Sequence, residues 1–144
     1  FHAIHHSSQE MDWLAGSRLH LVDIIATRAI TLIPIFFFGF HLQAVQAYLV
    51  FVAFWATFLH INANFNLLWL DRYFATPRFH HWHHAKKNEA LDKNFAIHLP
   101  ILDRLFGTYY MPKNEWPEEY GLKNSVVPQG FHNQFVSPFL PRKS

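Results

Sequence analysis

No Asp, Glu, Lys or Arg occurs in residues 29–70. That run of about 42 residues is twice the roughly 20 needed to cross a bilayer. It divides into two apolar segments. Residues 24–40 are interrupted only by Thr27, Arg28 and Thr31 and contain Pro34, whereas residues 44–65 are rich in Phe, Val, Ala and Leu. Gly39-Phe40-His41-Leu42-Gln43 between them reads as a turn. The pattern predicts a helical hairpin over about residues 24–65, with both ends on one side of a membrane. Pro34 is expected to kink the first helix, so that it enters deeply without fully crossing. A buried hairpin in a soluble bundle is the alternative, and the length of the uncharged run disfavours it. Residues 67–74 read as an amphipathic stretch, with Trp69 and Tyr73 at the interface and Asp71 and Arg72 facing water. The flanks, residues 1–23 and those after His84, are polar. Residues 103–106 predict a short helix ending at Gly107. Pro112, Pro117, Pro128, Pro138 and Pro141 then punctuate the chain, which predicts an irregular tail over residues 123–144.

Composition strengthens the membrane reading. Charged residues make up only 15% of the 144, against roughly 25% in soluble domains, and 16 residues are Phe. With no Cys, thiolate metal sites, disulfides and Cys nucleophiles are excluded. The formal charge is +2, and the basic residues are scattered without a nucleic-acid motif, so no nucleic-acid partner is expected. Arg18, Arg28, Arg72, Arg78, Lys86 and Lys87 flank the hairpin on one side, which the positive-inside tendency makes cytoplasmic. The chain opens on Phe within a histidine cluster, and it reads as the C-terminal part of a longer protein.

Histidine changes the picture from membrane segment to metal site. Pro77-Arg78-Phe79-His80-His81-Trp82-His83-His84 holds four histidines in five residues, after a Thr76-Pro77 helix start. On a helix, His80 lies near His83 and His84, since residues three and four apart share a face. His81 sits about 100° around the helix from His80 and is not counted as a ligand. The opening Phe1-His2-Ala3-Ile4-His5-His6 repeats the H-x-x-H-H spacing. His60 lies near the lower end of the second apolar segment, with Asn62 nearby and Asn64 expected one helical turn on, where polar groups are costly and by default functional. The boxes and His60 together exceed what one tetrahedral zinc needs, which makes a second metal plausible. Imidazole suits iron, zinc and copper alike. His20, His81, His98, Asn62, Asn64, Asp92, Asn94 and Asp103 are candidates to support the ligands by hydrogen bonds. A helix cap or loop turn is the competing role for Asp92, Asn94 and Asp103. His41 and His132 read as ordinary solvated or core side chains.

These motifs resemble the fatty acid hydroxylase / sterol desaturase superfamily. The resemblance rests on His2-Ala3-Ile4-His5-His6-Ser7, His60-Ile61-Asn62, the Thr76–His84 box, Asp92-Lys93-Asn94-Phe95, the stretch from Leu99-Pro100 to Thr108-Tyr109-Tyr110, and Tyr120-Gly121-Leu122. It implies a catalytic domain over residues 1–122, and a non-haem di-iron enzyme that uses O2 and an external electron donor on lipid C–H bonds. The donor would be a cytochrome b5- or ferredoxin-type reductase system. Carried over by position, His2, His5, His6, His60, His80, His83 and His84 become ligands of two iron ions. The expected fold is all-α: an integral membrane hairpin with a cytosol-side helical cap holding a histidine-rich di-metal site. Two departures accompany the resemblance. The family's first histidine box is absent, which predicts that this stretch alone is inactive, and His81 stands where the family often has Arg. Two other readings stay open: an acyl-lipid desaturase of the separate three-histidine-box family, and a non-catalytic membrane metal-binding protein.

Overall fold

The computed structural model describes residues 1–64, 67, 69–123 and 127–140. Phe65 at the end of the second apolar segment, Leu68 of the amphipathic stretch, and residues 124–126 and 141–144 of the tail lie outside the described residues. The described residues form six helices: α1 (Ala3–His6), α2 (Leu21–Phe37), α3 (Leu42–Leu59), α4 (Pro77–His83), α5 (Ile101–Phe106) and α6 (Phe131–Val136). Short 3-10 turns cover Ala15–Ser17, Asn88–Ala90 and Ser137–Phe139. No strand occurs among the described residues, and one backbone bridge pairs Ala85 with Tyr120.

The long uncharged run becomes α2 and α3, joined by four residues around Gly39. Among the described residues α3 is the one helix long and apolar enough to span a membrane. At 1.5 Å per residue its 18 residues reach about 27 Å, close to a hydrocarbon core. Val45, Val52 and Leu59 recur every seven residues on its buried face. That face packs against α4 and the Ala15–Ser17 turn. α2 runs through Pro34 to Phe37, and its only buried residue is Asp23. The rest of α2 is mostly apolar and half-buried to exposed, with Phe37 82% exposed. Exposed apolar faces of this extent on two successive helices suit lipid contact. α3 ends at Leu59, before the segment predicted from composition, because His60 caps it in a turn (His60 N donates to Thr57 O at 3.1 Å).

Two small cores fix α4 below α3. Leu59, Ala75 and Phe79 pack with Trp55, Phe58, Tyr109 and Met111. Trp82, Ala85 and Ala90 pack with Tyr110 and Met111. α4 begins as predicted: the Thr76 hydroxyl accepts from Phe79 N, and Pro77 occupies the first turn. α5 also ends as predicted, on Gly107 with φ 72°, a left-handed conformation that glycine adopts without a Cβ clash.

Three expectations change. The stretch around residues 69–74 forms turns, in which Asp71 points inward. Its carboxylate accepts from Arg78 Nη2 at 2.7 Å and Nε at 3.1 Å, and from the Thr76 hydroxyl. Asp71 and Arg78 are therefore a buried ion pair at the foot of α4 and do not face water. The tail contains α6, because Phe131 and Phe135, one turn apart, stack together and Phe135 stacks on His20. Third, Asn64 is not one helical turn from His60, since α3 has already ended.

Truncating one partner of a buried ion pair leaves the other charge unpaired, at a cost of about 3–5 kcal/mol. Asp71→Ala is expected to destabilise the fold by that amount, read as a lowered midpoint in detergent unfolding. An Asp71→Leu/Arg78→Met double variant is expected to recover most of the loss. An unchanged midpoint for Asp71→Ala would contradict the pair's role.

Candidate metal centre

α1 and α4 carry the two H-x-x-H-H boxes, and the cap of α3 brings His60 between them. α1 is held by Arg18, whose Nε donates to Ile4 O and to the Ser7 hydroxyl, each at 3.1 Å. Gly16 lets the chain pass against the His60 ring, where an added Cβ would lie 3.0 Å from Nδ1.

The seven predicted ligands fall into two groups. His5, His60, His80 and His84 form one, fully buried; His2, His6 and His83 form the other, more open. Within each group the ligand atoms lie within 4.8 Å of one another. The groups abut, with the rings of His6 and His84 stacked at 4.4 Å and those of His5 and His6 edge-on at 5.6 Å. The two boxes interleave. In the first, the one-turn pair His2 and His6 serves the open group while His5 turns to the buried one. In the second, the pair His80 and His84 serves the buried group while His83 turns to the open one. The shared spacing thus supplies ligands to both groups from each helix.

In the buried group, His60 Nε2 lies 3.3 Å from His5 Nε2 and 3.1 Å from His80 Nε2, and His84 Nε2 lies 3.1 Å from His80 Nε2. Ligand nitrogens about 2.0–2.1 Å from a metal stand roughly 3.0–3.4 Å from each other in tetrahedral or octahedral geometry. The donor set therefore fits a cation. The protons are arranged for one too. His60 Nδ1 donates to Ala56 O at 2.7 Å and His83 Nδ1 to Lys93 O at 2.8 Å. His2 Nδ1 donates to Asp23 Oδ2 at 2.9 Å. Each such bond leaves Nε2 as a lone-pair donor. The Nδ1 atoms of His5, His80 and His84 are buried without a partner among the described residues. Several imidazole lone pairs meeting without intervening positive charge is unfavourable, and a bound cation relieves it.

Burial, with the neighbouring imidazoles behind it, pushes His5 down to about 3 and lowers His6, His80 and His84 strongly. Burial also lowers His83. These side chains are neutral near pH 7, the state that metal ligation requires.

The candidates for supporting roles behave differently. His81 faces away from both groups: the Tyr120 hydroxyl donates to its Nδ1 at 2.9 Å, and its ring meets Trp116. His20 caps α2 by accepting from Val22 N, and its Nε2 donates to Phe135 O at 2.9 Å, so it secures the tail and touches no ligand. His98 accepts from the Tyr48 hydroxyl at 3.4 Å on the side of α3. Asn94 donates to Phe79 O and Tyr110 O and accepts from Tyr110 N. Asp103 accepts from Phe95 N, Ala96 N and the Thr108 hydroxyl. Both are loop braces, the competing role foreseen for them. Asp92 is exposed with φ 54°, and Asn62 and Asn64 are exposed. The partners that do touch ligands are Ala56 O, Lys93 O and Asp23. Two are backbone atoms that carry no side-chain signal, and Asp23 stands 21 residues from His2.

Acidification provides a test. Because the folded pKa values are lowered, the unfolded chain takes up protons first, below its ordinary 6.5. Stability is complete above that pH and is lost as pH falls toward about 3, the His5 value, by about 1.4 kcal/mol per unit for each such histidine. The metal-free protein is expected to melt at lower temperature at pH 5 than at pH 7. A flat profile would count against neutral buried imidazoles. In metal analysis at pH 7, His80→Ala is expected to lose bound ion and His81→Gln to retain it.

Residues 1–108 match the family model described as fatty acid hydroxylase. The ornithine lipid hydroxylase OlsE of Rhizobium tropici is 32% identical over 139 residues, covering 96% of this chain and 42% of that protein. The alkylglycerol monooxygenase of Homo sapiens is 29% identical over 144 residues, covering 93% of this chain and 30% of that protein. That of Caenorhabditis elegans is 26% identical over 138 residues, covering 96% and 26%. The chain spans less than half the length of these relatives. No solved structure matches it.

Proposed function

The chain belongs to the fatty acid hydroxylase family, and from that premise we propose that it forms the metal-binding part of a membrane-bound, non-haem di-iron oxygenase that hydroxylates lipid C–H bonds. The observation that carries this reading is the division of seven imidazoles into a buried four and an open three. One group accounts for one metal, and the second abutting group calls for another. The proposed ligands are His5, His60, His80 and His84 for one iron and His2, His6 and His83 for the other. Two irons, when bound, supply the redox chemistry by which O2 oxidises a C–H bond, which redox-inert zinc cannot do.

The rest of the chain binds, orients and excludes water. A cavity of about 790 Å³ is lined by both histidine groups and by Val52, Ala56 and Leu59 of α3 and Thr31 of α2. Its size suits one segment of a lipid chain. Apolar walls beside the metal ligands keep water from the reacting carbon. α3 is read as crossing the membrane, and α2 as lying beside it with its apolar faces toward lipid. His60 at the end of α3 and Asp23 at the start of α2 meet the same cluster, so the metals sit at one membrane face. The flanking Arg and Lys residues make that face cytoplasmic, within reach of a cytochrome b5- or ferredoxin-type reductase system. A lipid substrate is supported by the named activities of the relatives, on ornithine lipid and alkylglycerol. Those names also favour hydroxylation over desaturation.

The test is oxygenation by the intact protein in membranes, supplied with iron, a reductase system, 18O2 and a lipid extract. The expected result is a lipid product heavier by one 18O atom, with two irons per chain. His83→Ala is expected to bring product formation to background. Full turnover by His83→Ala would remove that residue from the ligand set. Tight zinc with no oxygenated product would overturn the oxygenase reading.

A further inference from the structure

Among the side chains that touch the seven histidines, Asp23 stands apart. His60 and His83 rest their Nδ1 protons on backbone carbonyls, whereas His2 rests its proton on a carboxylate at 2.9 Å. Asp23 is also the only buried residue of the 17 in α2. A helix with no other buried side chain is thus tied to the protein through one acid that holds one metal-site imidazole. His2 needs that tie more than the other ligands do. Its side chain is 52% exposed, at the start of the short α1, where packing alone does not orient the ring.

We infer that Asp23 is the positioning residue of the open histidine group: it holds His2 with Nε2 toward His6 and His83, so that α2 must be seated for this group to take up its ion. This inference rests on the two-metal reading above. A carboxylate behind a ligating imidazole fixes its tautomer and strengthens its donor nitrogen, and removing such a partner weakens metal binding by about 10–100-fold. The bland role for Asp23 is an acid in the first turn of α2, favourable to the helix dipole by some tenths of a kcal/mol. That role predicts no selectivity between the two ions. The positioning role predicts loss at one group only, because the buried group has no contact with Asp23.

The experiment is anaerobic titration of the intact, detergent-solubilised protein with Co2+, followed by its ligand-field absorption and by metal counting after gel filtration. Wild type is expected to take two ions. Asp23→Leu is expected to bind the first ion with unchanged affinity and the second about 10–100-fold more weakly. Asp23→Asn, which retains an acceptor oxygen, should lose less, and Asp23→Glu should recover part of the loss. In a His2→Ala background, Asp23→Leu should add nothing further, since the two act as one unit. Equal affinities for both ions in Asp23→Leu, equal weakening of both, or additive losses with His2→Ala would each overturn the inference. A wild-type protein that binds a single ion would sink the two-metal reading itself, a result distinct from these. Should Asp23→Leu fail to fold, the Asp23→Asn and His2→Ala cycle carries the same decision.

Discussion

Seven imidazoles packed in mutual contact are the constraint on which the rest of this chain depends. Neutral imidazole is a poor core residue unless its nitrogens are partnered, and here the Nε2 atoms of His5, His60, His80 and His84 converge at 3.1–3.3 Å. The arrangement makes physical sense around cations. Everything near it serves to hold rings that would otherwise repel or hydrate. α3 contributes the cap histidine, Gly16 leaves room for its ring, and the seven-residue α4 with its cap His84 presents three of the clustered histidines.

A helix that short has little stability of its own, and it is held from both ends. Thr76, Pro77 and the Asp71–Arg78 pair secure its start. Asn94 holds the carbonyl of Phe79, and Gly121 N bonds the carbonyl of His84. This explains why the polar residues in the 92–110 segment lie outside the ligand shell. Asn94 and Asp103 satisfy backbone groups of the loops that wall the site, and the site is rigid because those loops are. The one outward-facing histidine of the box, His81, is used the same way, anchoring Tyr120 and the segment that pairs with Ala85.

The apolar half follows a different logic. α2 has few packing partners among the described residues and makes its buried contact through Asp23 alone. The exposed isoleucines and phenylalanines on α2 and α3 form faces that suit contact with lipid. Where the chain leaves that environment, at His20–Asp23 and at His60, polar side chains reappear at once and turn toward the metal ligands or the tail.

Much of this was legible from local pattern. The two H-x-x-H-H boxes and His60 marked the seven histidines that the fold gathers, the Thr-Pro pair marked the start of α4, Gly107 marked the end of α5, and the uncharged run marked the apolar helices. These are short-range rules, set by helix periodicity and backbone sterics, and they do not need the rest of the chain. What only the tertiary structure decided is how the ligands are shared: that each box splits between two groups, that Asp71 and Arg78 turn inward as a pair, and that His2 finds its proton acceptor on α2. Such pairings join residues far apart in sequence, and residue type alone does not distinguish a carboxylate facing water from one facing an imidazole. The sequence determined that histidines would gather at the foot of a long apolar helix; the packing of α1, α3 and α4 determined which ring faces which.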